Sequence, residues 1–155
     1  MQFSPNSKVI VQGIATFPGS GCAPRMKAYG TNIVAGVEAG SGGRFLDTIP
    51  VFDLVEQAVF QLGNLDISLI CVPPYAVLDA ALEAIAAGIK QLVLLGGGVP
   101  PLDVVKLLER GEASNTCILG PGQSGILIPG QFWLGGHEPL CYQPAALPWW
   151  VAAPP

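Results

Sequence analysis

Four glycine-rich segments interrupt the sequence, and each follows a short apolar run. The first loop extends from Gly13 to Gly21 and contains Thr16, Gly19 and Ser20. Backbone NH groups of small residues at the start of a helix bind phosphate, because they lack other partners and lie at the positive end of the helix dipole. The first loop is therefore a candidate phosphate-binding segment.

The second loop, Gly36 to Gly43, carries Glu38 and Ser41 and is followed by Arg44. Ser41 offers a hydroxyl without charge, and Arg44 is the adjacent cation. Three interpretations of Glu38 remain open. It repels a phosphate if it points inward, it accepts hydrogen bonds from a ribose diol as acids in this position do in nucleotide-binding folds, or it is a solvated loop acid.

The third loop, Gly96 to Gly98, and the fourth loop, Gly120 to Gly125, add backbone freedom but no acid or base. Gly96 and Gly97 are candidate contacts because they leave open space for a ligand. No Ser-His-Asp or Cys-His set appears nearby, so the sequence predicts no catalytic residue. The cysteines lack metal-ligand spacing, which predicts buried free thiols and no metal site; they are Cys22, Cys71, Cys117 and Cys141.

Apolar, β-branched runs precede these loops and alternate with stretches of helical periodicity. The predicted strands are Lys8–Gly13, Thr31–Gly36, Asp66–Val72, Gln91–Leu95 and Asn115–Leu119. Near-continuous apolar strands must be covered on both faces, which predicts an α/β fold: a Rossmann-like, doubly wound, mainly parallel sheet with helices on both faces. The carboxyl ends of such strands share one edge, so the four loops are expected to surround a common crevice.

Helix boundaries and buried faces are also predicted from the sequence. Asp53, with Glu56 three residues later, has the pattern of a capping box at a helix start. The next helix is expected to bury one apolar face, made of Val77, Leu78, Ala81, Leu82, Ile85 and Ala86. The last is expected to bury Leu102, Val105 and Leu108.

The composition excludes some classes of function. Charged residues make up 12% of the chain, the hydrophobic fraction is 50%, and the formal net charge is -4. Without a basic stripe, nucleic acid is not an expected partner. Glycines and prolines interrupt every apolar run that approaches membrane-spanning length, and the predicted location is the cytoplasm. So few charges on the surface predict coverage by a protein partner or by copies of the same chain.

From about Asn6 to His137 the sequence resembles the N-terminal, CoA-binding domain of the succinyl-CoA synthetase (succinate-CoA ligase) alpha subunit. The matching pieces are Lys8-Val-Ile-Val-Gln-Gly13, Ala28-Tyr-Gly-Thr31, Val34-Ala-Gly-Val37, Gly40-Ser-Gly-Gly43, Ile49-Pro-Val-Phe52, Leu82-Glu-Ala-Ile-Ala-Ala-Gly-Ile89, Gly98-Val-Pro100, Gly120-Pro121 and Ile128-Pro-Gly130. The resemblance implies a Rossmann-type domain that binds CoA or another adenine nucleotide.

In that family a second domain carries a histidine that is phosphorylated, and a beta subunit grasps the nucleotide. His137 is the only histidine of this chain, and no motif identifies it as that residue. The expectation is a stand-alone CoA-binding-domain protein that is not an active acid-thiol ligase by itself.

The loops depart from the family pattern. Phe17 and Pro18 add bulk to the first loop, where the family has Gly-x-Thr-Gly-x-Gln-Gly, and Pro18 removes an NH donor. Ser41 stands where the family has a lysine, so a charge-assisted bond to a phosphate is lost. The candidate cofactor-binding residues are Gly13, Thr16, Gly19, Ser20, Glu38, Ser41, Arg44, Gly96 and Gly97.

Residues 138–155 form an apolar, proline- and tryptophan-rich tail after the domain of residues 1–137. Tyr142, Trp149 and Trp150 are candidate partner-binding residues, because aromatic side chains are favoured interface anchors. The tail either docks on a partner or folds back over its own sheet. An alternative function is therefore a non-catalytic interaction or assembly protein that uses the degenerate scaffold and this tail.

Overall fold

The computed structural model describes residues 3–16, 19–137, 139 and 142. The strands are β1 Val9–Gln12, β2 Ile33–Val37, β3 Phe45–Leu46, β4 Ile49–Phe52, β5 Ile67–Ile70, β6 Gln91–Leu94, β7 Cys117–Leu119, β8 Gly125–Ile128 and β9 Phe132–Gly135. The helices are α1 Gly19–Tyr29, α2 Val55–Leu62, α3 Val77–Ala86, after a 3-10 turn at Pro74–Ala76, and α4 Pro101–Ala113.

Within the described residues, seven strands form one sheet in the order β3-β4-β2-β1-β5-β6-β7. Every neighbouring pair is parallel except β3 with β4. The chain runs outward from β1 through β2 and β4, then returns to the other side of β1 as β5. The predicted doubly wound sheet is therefore confirmed, and its order reverses between β1 and β5, where ligands bind in such folds.

Side chains on the two faces of the sheet enter separate cores, because successive strand residues point in opposite directions. Val9 and Val11 belong to the core under α1, whereas Ile10 belongs to the core under α2, α3 and α4. Both cores are fully buried at their centres. The sheet is thus covered on both faces, as its apolar strands require.

A β-hairpin completes the layer beside α1, and the sequence did not predict it. β8 pairs with β9 in antiparallel fashion, and Phe132, Trp133 and Leu134 are buried in the core under α1. The Thr31 hydroxyl lies 2.6 Å from the Trp133 carbonyl oxygen and 2.9 Å from the Trp133 nitrogen, donating to the first and accepting from the second. The hairpin takes the place of a helix on this face.

The predicted capping box at the start of α2 is wrong. Leu54 occupies the N-cap position and makes no side-chain hydrogen bond to the helix. The Asp53 carboxylate instead accepts a hydrogen bond from the Gly42 NH, 2.9 Å away, because β4 ends beside the second loop. The Val55 NH at the helix start donates to Glu83 of α3 over 2.8 Å.

The predicted buried faces of α3 and α4 are partly wrong. α3 buries Val77 and Ala81 as expected, but Ala80 and Ala84 complete the face, and Ala86 is exposed. The contact side of α4 is made by Leu107 and Gly111, where a Cβ on Gly111 would lie 2.7 Å from Ile118 Cδ1.

α4 therefore turns its predicted core face outward. Leu102, Val105 and Leu108 are 75%, 51% and 57% exposed, since only a narrow side of this helix packs on the end of the sheet. β7 is the last strand in the sheet order, and Cys117 within this edge strand is exposed, contrary to the predicted burial. Cys22 and Cys71 are buried free thiols, as predicted; Cys141 lies outside the described residues.

None of the helices formed by the described residues has the length and apolar character needed to cross a lipid bilayer.

Candidate functional site

The first loop makes a tight turn between β1 and α1. Gly13 has φ +76°, and a Cβ there would lie 2.9 Å from the Cys71 carbonyl oxygen, so only glycine fits without displacement. The Thr16 hydroxyl lies 2.7 Å from the carbonyl oxygens of both Gly13 and Cys71. The loop is thereby fastened to the end of β5 across the point where the strand order reverses.

The N-terminus of α1 lies directly against this turn. Gly19 approaches the Gly13 carbonyl so closely that a Cβ would collide with it. The Ser20 NH donates to the Thr16 carbonyl oxygen over 2.8 Å, which begins the helix. Phe17 and Pro18, predicted to obstruct a phosphate, lie outside the described residues.

A crevice of about 440 Å³ opens at the carboxyl ends of β1, β5 and β6. Its lining is mostly apolar and combines the predicted Thr16, Gly96 and Gly97 with Cys71, Val72, Pro73, Pro74 and Leu95. Ligand pockets in proteins occupy roughly 300 to 1,000 Å³ and combine apolar walls with a few polar groups. This crevice matches such a site in size and in character.

The thiol of Cys71 lies in this lining but is not an activated nucleophile. Burial, and to a smaller extent the neighbouring Cys22 thiol, raises the pKa of Cys71 to about 12. Burial also raises the pKa of Cys22, although the Arg25 charge opposes the shift. Because the thiolate is the reactive form, both residues remain unreactive thiols at neutral pH.

The second loop contacts the first through Glu38. Its Oε2 lies 3.3 Å from the Ala15 nitrogen and accepts a hydrogen bond from that NH, while its own NH donates to Phe52. Glu38 is half-buried. The side chain is therefore directed at the first loop, the place where a ligand crossing from β2 to β5 would pass.

Ser41 and Arg44 lie further out in the same loop. The Ser41 NH donates to the Glu38 carbonyl oxygen over 3.1 Å, and the Arg44 NH donates to Ser41 over 3.2 Å. Both bonds fold the loop back on itself. Arg44 is exposed, so its charge is available at the rim but is not fixed in the crevice.

The third and fourth loops form the opposite side of the rim. The Gly122 NH donates to the Gly96 carbonyl oxygen over 2.9 Å, and a Cβ on Gly97 would lie 3.8 Å from Gly122 Cα. The four loops thus meet as two pairs, the first with the second and the third with the fourth. Of the four loops, the first and third contribute to the crevice lining, through Thr16 and through Gly96 and Gly97.

The tail is described only at its beginning. Tyr142 is exposed, and its ring centroid lies 5.8 Å from that of His137 in an edge-on arrangement. His137 Nδ1 lies 2.9 Å from the Ser124 carbonyl oxygen, which links the imidazole to the fourth loop. Trp149 and Trp150 lie outside the described residues.

Another cavity, of about 540 Å³, lies between α2 and α3 and contains Glu56 and Glu83 in its lining. It is lined by α2, α3 and the residues that flank them, Leu54 and Ala87. None of the predicted cofactor-binding residues contributes to it. The crevice at the rim is accordingly the stronger candidate site.

Sequence reasoning missed several residues that line the crevice or shape its rim. Cys71 to Pro74 follow β5, and their sequence pattern predicts only the end of a strand and the start of a helix. The sequence contained a signal for this segment, because parallel pairing places the carboxyl end of β5 at the same edge of the sheet as the glycine-rich loops. Asp53 was also missed, since its position after β4 resembled a helix cap.

A family model described as the CoA binding domain matches residues 4–97. The alpha 1 subunit of succinate-CoA ligase (ADP-forming) from Archaeoglobus fulgidus is 40% identical over 130 residues, which cover 84% of this chain and 44% of that subunit. The alpha subunit of malate-CoA ligase from Methylorubrum extorquens is 36% identical over 136 residues, covering 83% and 46%. The chain spans less than half the length of these relatives.

Among solved structures, the fold matches that of ATP citrate lyase from Methanothrix soehngenii in complex with citrate and coenzyme A. The TM-score is 0.73 at 19% identity, and the match covers 87% of this chain and 24% of that one. Similarity at this level of identity supports the fold, including its parallel sheet.

Proposed function

Because this chain belongs to the CoA binding domain family, we propose that it binds coenzyme A, or another adenine nucleotide, at the rim of its sheet. The observation that carries this proposal is the crevice at the reversal point between β1 and β5, bounded by glycine-rich loops on both sides. The family model matches residues 4–97 of this chain, a range that includes the first and second loops and the segment after β5.

The chemistry of the lining supports an orientation for the ligand. Cys71, Val72, Pro73 and Leu95 provide apolar walls, which suit the pantetheine arm better than a charged phosphate. The adenosine end then extends over the first loop toward Glu38. The first loop packs through Gly13 against Gly19, and it accepts a hydrogen bond from the Ser20 NH, at the N-terminus of α1. The helix dipole at this end favours the pyrophosphate.

Calorimetric titration of the full chain with CoA, ADP and pantetheine tests this proposal. CoA is expected to bind, and replacing Gly97 by Val is expected to weaken binding because two methyl groups would fill the crevice. Gly136→Val is a matched control, since Gly136 has open space around it away from the crevice. Absence of binding by all three ligands, with the protein folded, would refute the proposal.

We further propose that this chain alone does not form an acyl-CoA thioester. The buried Cys71 thiol in the crevice stays protonated, and His137 lies beside the Ser124 carbonyl oxygen rather than in the crevice lining. An assay with ATP, CoA and succinate or malate is expected to yield no acyl-CoA. Formation of either product by the purified chain would contradict this part of the proposal.

A second candidate role is assembly with another copy of the chain through α4. Leu102, Val105 and Leu108 lie at helical spacing and are exposed, and the relatives are described as subunits. An apolar helix face of this kind is typical of a surface that pairs with another helix. The low charged fraction of the chain supports the same interpretation.

Light scattering on the full chain tests this role. The native chain is expected to exceed the 16.1 kDa monomer mass, and a Leu102→Glu, Leu108→Glu variant is expected to return to it. A second variant of the full chain combines Trp149→Ala, Trp150→Ala and Tyr142→Ala. It tests whether the tail contributes to self-assembly. A monomeric native chain would exclude self-assembly through either surface.

A further inference from the structure

We propose that the rim of the crevice selects adenine ligands whose ribose carries no phosphate, so that dephospho-CoA binds more tightly than CoA. Glu38 and Asp53 are the specificity-determining residues. This inference rests on the proposed function, because it concerns the same site, and it names the class of ligand that the site prefers.

A carboxylate lies at each of two loop amides, the Ala15 NH of the first loop and the Gly42 NH of the second. The Ala15 NH donates to Glu38 Oε2 over 3.3 Å, and the Gly42 NH donates to Asp53 Oδ1 over 2.9 Å. Loop amides of this kind are the donors with which glycine-rich segments hold phosphate. In this chain each of the two already has a carboxylate as its acceptor.

The surroundings of Asp53 and Glu38 hold both carboxylates in place. Gly42 packs against Asp53 so closely that a Cβ on Gly42 would collide with the carboxylate. The Asp53 NH donates to Gln57 Oε1 over 3.3 Å, which fixes the backbone that carries the acid. Glu38 is half-buried and lies between two loops. A phosphate on the ribose would therefore meet fixed negative charge.

Three side chains bear on whether this negative charge is offset: Ser41, Lys27 and Arg44. Ser41 contributes a neutral hydroxyl. Lys27 is engaged elsewhere, since its Nζ lies 2.9 Å from Thr48 Oγ1 and 3.3 Å from the Thr48 carbonyl oxygen. Arg44 is exposed, and exposed charge pairs contribute little because water and salt screen them.

The carboxylates suit a free ribose diol better than a phosphate. A free ribose diol presents hydroxyl donors, and an acid at the end of the second strand accepts such donors in dinucleotide-binding folds. Glu38 follows β2 directly, and its Oε1 has no hydrogen bond among the described residues. A diol would add donors to that oxygen, whereas a phosphate would add a second anion beside it.

Paired calorimetric titrations of the full chain with CoA and dephospho-CoA test the inference. At low ionic strength we expect dephospho-CoA to bind about tenfold more tightly, with the ratio decreasing as salt screens the repulsion. Glu38→Gln and Asp53→Asn should each strengthen CoA binding and reduce the ratio. Glu56→Gln removes a nearby charge that contacts neither amide, so it should leave the ratio unchanged.

The outcomes separate the inference from the proposed function. CoA binding equal to or tighter than dephospho-CoA binding would overturn the inference while supporting the proposed function. A preference for dephospho-CoA that Glu38→Gln and Asp53→Asn leave intact would also overturn it, since other groups would then set the selectivity. Failure of both ligands to bind a folded chain would overturn the inference, and it would overturn the proposed function as well if ADP and pantetheine also failed to bind.

Discussion

Glu83 of α3 accepts a hydrogen bond from the backbone NH of Val55, the first residue of α2, with Oε1 2.8 Å from that nitrogen. Its other oxygen, Oε2, lies 3.3 Å from Gln12 Nε2 at the end of β1. Gln12 Nε2 also donates to the Ala80 carbonyl oxygen, and the Ser68 hydroxyl donates to Gln12 Oε1 over 2.7 Å. A polar network thus joins two helices to the two central strands beneath the first loop.

Replacing Glu83 by Ala is expected to lower the free energy of unfolding by about 2 kcal/mol, because removal of a charged acceptor leaves partly buried donors unpaired. Glu83→Gln should cost less, since one carbonyl oxygen can still accept from Val55. Chemical denaturation monitored by circular dichroism measures both. Asp79→Ala, an exposed acid on the same helix, should have a small effect; equal losses for Asp79 and Glu83 would contradict the network's role.

Thr31 fastens the β8–β9 hairpin to the junction between α1 and β2, because its hydroxyl bonds both the carbonyl oxygen and the NH of Trp133. Thr31→Val keeps the shape but leaves two buried backbone groups unpaired, and a loss of roughly 2 to 3 kcal/mol is expected. Thr31→Ser should retain most of the stability. Thermal unfolding of the native protein and the two variants measures these differences. Similar melting temperatures for Thr31→Val and Thr31→Ser would refute the role of the Thr31 hydroxyl in holding the hairpin.

The parallel sheet could be predicted because its strands are almost continuously apolar and alternate with helical stretches. Val9 to Gln12 and Ile67 to Ile70 are buried at every position, which is the pattern of a sheet covered on both faces. The edge shared by the loops follows from parallel pairing alone. These features depend on local composition and on connection rules, both of which a single sequence contains.

The remaining features depend on distant partners. The buried role of Trp133 requires Thr31, which lies 102 residues earlier in the chain. The exposure of Leu102 and Leu108 follows from the position of α4 at the end of the sheet, which periodicity does not encode. Asp53 has the local pattern of a helix cap, but the adjacent Gly42 NH is its partner in space.

The three described cysteines are expected to differ in reactivity. Cys117 is exposed and should react rapidly with a thiol reagent at pH 8, whereas Cys22 and Cys71 should react slowly because burial raises the pKa of each thiol. Peptide mapping after timed alkylation identifies each site. Rapid labelling of Cys71 in the folded protein would show that the crevice exposes this thiol.

The raised pKa of Cys71 also predicts how stability varies with pH. Above about pH 9 the unfolded chain releases the thiol proton, while the folded protein retains it up to about pH 12. The folded state then binds more protons, so the free energy of unfolding falls with rising pH, by at most about 1.4 kcal/mol per pH unit for one group. Cys71→Ala should reduce the dependence of the free energy of unfolding on pH, measured by denaturation at pH 9 to 11. An unchanged dependence would contradict the raised pKa of Cys71.

Gly13 and Gly40 provide a matched test of the turn that forms the crevice. Both have positive φ, +76° and +77°, so alanine strains the backbone at either position by roughly 1 to 2 kcal/mol. Gly40 has open space around it, whereas a Cβ on Gly13 would lie 2.9 Å from both the Cys71 carbonyl oxygen and Val72 Cγ1.

Gly13→Ala should therefore lose about 1 to 3 kcal/mol more than Gly40→Ala, the usual cost of overpacking. Denaturation of the two variants measures the difference, and calorimetry with CoA reports whether the displaced turn also weakens binding. Because Thr16 and Cys71 line the crevice on either side of this contact, a shift of the turn should alter the site itself. Equal stability of the two variants would mean that the first loop can move away from β5, and the crevice would then not be a preformed site.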